Sequence, residues 1–107
     1  MNKIRIKWDT FVGPGGAPKY PQIVVSEDSD WKLFELVASI LERELSGVWV
    51  QKADGLDQRY WDLKVESQVI TLHLEHYMGI TIFSESADDD YLLLKKSYEV
   101  LSAHGMA

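Results

Sequence analysis

The chain contains no cysteine among its 107 residues. A disulfide framework and a thiolate metal site are therefore excluded, and the composition fits a reducing compartment. No apolar run approaches the roughly 20 residues that a membrane helix needs. The opening residues, MNKIRIKWD, lack the apolar stretch of a signal peptide, so the expected setting is the cytoplasm with no membrane contact. Positive charge is also scarce. Eleven Lys and Arg stand against 17 Asp and Glu, for a formal net charge of −6. A domain of that sign is repelled by phosphate backbones, so no nucleic-acid partner is expected. There are three prolines, no internal repeat and no low-complexity linker.

What is present is enough for one core. Hydrophobic residues make up 46% of the chain and include four Trp, so a single domain over residues 1–107 can fold without staples. The charge is unevenly spread: residues 1–25 sum to +3 and the remainder to −9. Such a surface attracts and steers a basic protein partner, and it also keeps a protein soluble.

The organising stretch is Gln68 to Phe83, QVITLHLEHYMGITIF. Ile70, Leu72 and Leu74, then Met78, Ile80 and Ile82, recur at every second position, which is the period of a strand with one apolar face. The break at His76 to Gly79 predicts a hairpin, or a bend at a bulge. The opposite face carries Thr71, His73, Glu75 and Thr81, polar enough to meet water or a partner.

The rest of the chain supplies four more strands and two helices. Lys3 to Trp8 alternates Ile4, Ile6 and Trp8 inward with Lys3, Arg5 and Lys7 outward, as an edge strand does. Gly13 to Pro18 reads as a loop, and Gln22 to Ser26 as a second strand. Ser29 or Asp28 is expected to cap a helix whose stripe runs Trp31, Phe34, Val37 or Ala38, Leu41 and Leu45, ending at Gly47. Val48 to Gln51 and Arg59 to Val65 read as strands around a turn at Ala53 to Gln58. Trp61, Leu63 and Val65 share one face of the second of these, and Tyr60, Asp62 and Lys64 the other. A turn at Glu66-Ser67 then leads into the central pair. A last helix opens at Ser86 to Asp89 with the spacing of a capping box. Its stripe is Tyr91, Leu94, Tyr98 and Leu101, with Leu92 and Leu93 at the margins. The fold class is thus α+β: a mostly antiparallel sheet of about six strands, two helices packed on one face, in the order ββαββββα.

No motif compels a reaction. His73, Glu75 and His76 spell H-x-E-H, but in a strand His73 and Glu75 share a face while His76 points the other way. Two ligands do not hold a metal that needs three or four. The pair also suits a general base with its orienting acid, but such pairs commonly serve as cross-strand polar contacts. No cofactor, metal or enzymatic activity is expected. Gly13 to Lys19 lacks the G-K-[ST] ending of a phosphate loop, and its prolines remove amide donors. Carboxylates cluster at both helix starts, at Asp28 and Asp30 and at Glu85, Asp88, Asp89 and Asp90. Capping explains most of both clusters; Asp88 to Asp90 read as a solvated acidic patch, with a partner surface as the alternative. Trp31 and Trp61 fall on core faces. Trp49 and Tyr60 alternate with core positions, as interface anchors do, although a loop would cover them equally well.

The text LHLEHYMGITIF at Leu72 to Phe83, with the Trp8-Asp9 opening strand and its Gly-Pro-Gly-Gly loop, resembles a signature of small bacterial proteins. Some of these serve as immunity partners in polymorphic-toxin or contact-dependent inhibition systems. The resemblance implies a cytoplasmic protein that binds a basic toxin domain and occludes its active site or substrate path. The partner-binding residues expected on this reading are Asp88, Asp89, Asp90, Glu85, Asp28, Asp30, His73, Glu75, Trp49 and Tyr60. A small enzyme or ligand-binding domain built on His73 and Glu75, and a structural subunit that oligomerises through sheet edges, remain open alternatives.

Overall fold

Gly79 holds the centre of the sheet in place. It adopts φ +84, and a Cβ there would overlap the Ser26 carbonyl oxygen and the Glu27 backbone. A residue without a side chain is therefore needed both for the turn and for the close approach of the chain that leads into the first helix. The structure, a computed structural model, describes residues 7–12, 19–84 and 87–105, with side chains for 22–84 and 92–105. The elements are β1 (Lys7–Val12), β2 (Lys19–Ser26), α1 (Trp31–Leu45), β3 (Val48–Asp54), β4 (Gln58–Val65), β5 (Gln68–Glu75), β6 (Gly79–Phe83) and α2 (Ala87–Ala103). They follow the order expected from the sequence.

The six strands form one sheet in the order β1-β2-β6-β5-β4-β3, with every neighbouring pair antiparallel. Strands β3 to β6 are a meander joined by tight turns. The chain leaves β2, crosses over one face as α1, and starts the meander at the far edge. One transverse row shows how the pattern becomes a core: Ile23, Ile82, Leu72 and Trp61 are cross-strand partners in succession. Each of them is buried. Phe34 and Leu41 of α1 and Leu94 and Leu101 of α2 close over that face in the same cluster. Ile70, Leu74 and Ile80 lie in the same core, as the alternation predicts, whereas Met78, expected on that apolar face, is exposed in the turn before Gly79.

Several boundaries move, each for a visible reason. Of the strand expected over Lys3 to Trp8, Lys7 and Trp8 lie in β1, which runs on to Val12; the rest of that expectation, in residues 1–6, and residues 13–18 lie outside the described residues. Strand β2 starts earlier than expected and contains Pro21. The ladder to β6 begins only at Gln22, so Pro21 sits where β2 has a neighbour on one side, as proline requires. Asp30, rather than Ser29 or Asp28, caps α1: its Oδ1 accepts from the Lys32 and Leu33 N–H groups at 3.0 and 3.1 Å. Ser46, at φ 53, ends that helix. Gly47 follows because a Cβ there would lie 2.7 Å from the Leu63 side chain. Strand β3 runs on to Asp54, and the turn shrinks to residues 55–57. In α2, Leu93 is buried and Leu92 exposed; the expected box of Ser86 and Asp89 involves side chains outside the described residues.

Candidate functional site

The face of the sheet turned away from the helices carries Tyr60, His73 and Thr81 as cross-strand neighbours on β4, β5 and β6. Period-two alternation puts them there, between Trp61, Leu72 and Ile82 of the core. The Tyr60 ring stacks on His73 at 4.2 Å and 17°, and Phe83 meets the same imidazole edge-on at 6.0 Å. His73 was expected to face water; it is buried, as is Thr81. The physical reason is that a stacked tyrosine one strand away covers the ring. Nδ1 of His73 lies 3.4 Å from Thr81 Oγ1. Nε2 has no hydrogen-bond partner among the described residues and stands 3.7 Å from Glu75 Oε2. Burial pushes the His73 pKa below its ordinary value, and Glu75 opposes that shift less strongly. The ring is thus neutral at neutral pH, and its contact with Glu75 is not an ion pair there. Burial, then Glu75, raises the Tyr60 phenol, which stays protonated. Beside this group Thr71 donates to Asp62 at 2.7 Å. Tyr60 remains 39% exposed, so a rigidly held aromatic edge stands between Asp62 and Glu75.

A second cluster, on the helix-bearing face at the β3–β4 edge, was not anticipated. Arg59 is buried there. Its guanidinium carbon lies 4.5 Å from the Trp31 ring centre, 4.6 Å from Trp61 and 4.9 Å from Phe34. Asp54, its cross-strand partner, accepts from Arg59 Nε at 3.0 Å and from Trp61 Nε1 at 2.8 Å. These two donors, Arg59 first, hold the Asp54 carboxyl below its ordinary range. Arg59 Nη1 makes no hydrogen bond among the described residues, and Glu35 Oε1 lies 3.6 Å from it. Lys52 places its ammonium 4.3 Å from the centre of the Trp61 ring. The signal was in the sequence: Arg59 sits two residues before Trp61 in a strand whose odd positions face the core. Trp31, expected in the core, is instead 37% exposed because it lies over this guanidinium.

The remaining candidate residues separate. Glu75, Tyr60 and His73 meet on the face turned away from the helices. Trp49 does not join them: it pairs with Leu63 on the helix-bearing face, is half-buried, and packs edge-on to Trp61 at 5.5 Å. His76 was expected to point inward; it is exposed in the β5–β6 turn, where its N–H donates to the Asp57 carbonyl at 3.0 Å. Asp28 and Asp30 follow Ser26, which pairs with Ile80 at the Gly79 end of β6. Asp88, Asp89 and Asp90 open α2, which follows the Phe83 end. The two acidic groups therefore follow opposite ends of β6. The side chains of Asp88 to Asp90, and Glu85 altogether, lie outside the described residues. No group of three or more His, Asp or Glu able to hold a metal occurs among the described residues. None of the described helices is long and apolar enough to cross a membrane.

The profile of a family described as "Protein of unknown function (DUF3630)" matches residues 17–96. That span runs from just before β2 into α2 and takes in the Tyr60–His73 stack, the Arg59 cluster and all of the meander. No curated protein and no solved structure matches the chain. By its match over most of its length, the chain belongs to the DUF3630 family.

Proposed function

We propose that this protein is a protein-binding module whose sheet face opposite the helices docks a basic protein partner and covers that partner's working surface. The observation that supports this reading is the Tyr60 edge, stacked on buried His73 and standing between Asp62 and Glu75. An aromatic already fixed in one rotamer gives contact area with little ordering cost. Flanking carboxylates favour a cationic partner and speed its encounter. An immunity protein that occludes a toxin domain is the specific form of this proposal, carried by the resemblance at Leu72 to Phe83 and by the net charge of −6.

A hydrolytic role for His73 and Glu75 draws less support. A substrate would have to displace Tyr60 to reach the imidazole, and Nδ1 already faces Thr81. The test is co-expression with the protein encoded by the adjacent gene, followed by purification and binding kinetics. A one-to-one complex whose association slows as salt rises supports the reading, because exposed charges are screened over roughly 8–10 Å at physiological ionic strength. Absence of both complex and protection overturns it.

A further inference from the structure

Three large apolar side chains stand in solvent at one end of the sheet. Leu56 is 103% exposed, Tyr77 90% and Met78 49%. Exposed apolar residues scattered singly are ordinary, but these three belong to two neighbouring turns. Leu56 lies in the β3–β4 turn, and Tyr77 and Met78 in the β5–β6 turn. Strands β4 and β5 are adjacent, with Gln58 opposite Glu75, so the facing arms of the two turns are about one strand spacing apart, roughly 5 Å, and the turn centres about two spacings, roughly 10 Å. The Asp57 carbonyl accepts from the His76 N–H across the gap at 3.0 Å.

The turns are also held. The Gly55 N–H donates to the Gln58 carbonyl at 2.7 Å, and the Met78 N–H to the Glu75 carbonyl at 3.1 Å. His76 packs edge-on against Tyr77 at 4.6 Å. Gly79 is wedged against the Ser26–Glu27 backbone. That close approach brings the acidic start of α1 beside the same turn. The rim of the apolar tips therefore carries Asp28, Asp57 and Glu75, with Glu27 next to them. Nothing in the pleat or the core requires these side chains to be large and apolar, since none of the three contributes to the core cluster.

We infer that the paired β3–β4 and β5–β6 turns form the anchor of a docking surface for a basic protein segment that presents apolar side chains between its cations. Leucine-like side chains of the partner cover Leu56, Tyr77 and Met78, while its Lys or Arg groups meet Asp28, Asp57 and Glu75. Charge complementarity fixes the kind of occupant, and the hydrogen-bonded turns lower the ordering cost of binding. The inference rests on the protein-binding reading for the existence of a partner, and it places the anchor at the strand ends beyond Glu75.

A direct probe is a synthetic peptide of alternating leucine and arginine, titrated into isotope-labelled full-length protein and followed by amide chemical shifts. A leucine–glutamate peptide of equal length is the control. The expected result is saturable shifts concentrated at Leu56, Asp57, Glu75, Tyr77 and Met78 with the cationic peptide alone. A Leu56→Asp/Tyr77→Asp double variant, altered only at exposed positions, should keep its melting temperature and bind the peptide at least tenfold more weakly. Shifts mapping to α2, equal response to both peptides, or undiminished binding by the folded double variant would each overturn the inference. If the adjacent gene's product binds wild type and double variant alike, the tip assignment fails while the protein-binding reading stands. If that product binds neither while the cationic peptide still titrates to the tips, the reverse holds.

Discussion

Replacing Arg59 tests the least expected part of the fold. Its side chain is 8% exposed and is enclosed by Trp31, Phe34 and Trp61. Arg59→Ala removes roughly two buried methylenes beyond Cβ, about 0.8 kcal/mol each. It also removes a desolvated cation–π arrangement worth about 1–2 kcal/mol. The ion pair with Asp54 adds little more, about 0–1 kcal/mol, because Asp54 is 45% exposed and screened by solvent. Against these losses stands the relief of a buried Nη1 that lacks a hydrogen bond among the described residues, a group that is costly to keep. That relief is about 1–3 kcal/mol, which leaves a net expected cost for Arg59→Ala of about 1–3 kcal/mol. Arg59→Met keeps the apolar stem, removes the charge, and leaves Asp54 in solvent with the Trp61 N–H, so it should cost less than about 1.5 kcal/mol. Urea unfolding followed by far-ultraviolet circular dichroism measures both without relying on the neighbouring tryptophans. An alanine variant within about 1 kcal/mol of wild type, or a methionine variant as damaged as alanine, would refute the reasoning.

Other perturbations probe the sheet and the stacked face. Leu72→Ala, at a fully buried position in the central strand, should cost about 2–5 kcal/mol in the same assay; an unmoved midpoint would contradict the core assignment. Gly79→Ala should destabilise by several kcal/mol or prevent folding, because the new Cβ meets the Ser26 and Glu27 backbone in a positive-φ conformation; near-wild-type stability would remove the wedge from the account. The depressed His73 pKa has a pH consequence. Below about pH 6.5 the unfolded chain binds a proton that the native ring resists. The contribution of neutral His73 is therefore complete above that pH, shrinks as pH falls, and levels off once the native ring protonates. Urea midpoints at pH 7.5 and 5.5 should differ more for wild type than for His73→Gln, and equal differences would count against a buried neutral ring.

Much of this molecule is legible in its sequence where the period of the side chains is unambiguous. Ile70, Leu72 and Leu74 with Ile80 and Ile82 admit one pleat, and Gly79 admits one break between them. The same logic placed Trp61 and Leu63 inward. It stopped short at Arg59, whose charge suggested solvent although its position in the alternation was inward. What buries it is tertiary: Trp31 from α1 and Asp54 from the edge strand arrive from elsewhere in the chain. His73 was misplaced for a related reason. Alternation gives the face but not what lies on it, and a stacked Tyr60 turned an outward histidine into a buried one. The register break in β3, between Trp49 and Gln51, likewise defeats simple alternation and carried Trp49 to the helix-bearing face. The acidic residues read from the sequence as two clusters, one at each helix start, and the sequence does not show that Asp28 and Asp88 follow opposite ends of β6.

The central claim is that the Tyr60 face docks a basic protein, and one measurement bears on it most directly. It is the binding of the adjacent gene's product to wild-type protein and to a folded Tyr60→Ala variant, by surface-immobilised kinetics at low and physiological salt. The account expects a complex whose association slows with salt, and which dissociates at least tenfold faster when Tyr60 is removed. No complex, or one indifferent both to salt and to the loss of Tyr60, would contradict it.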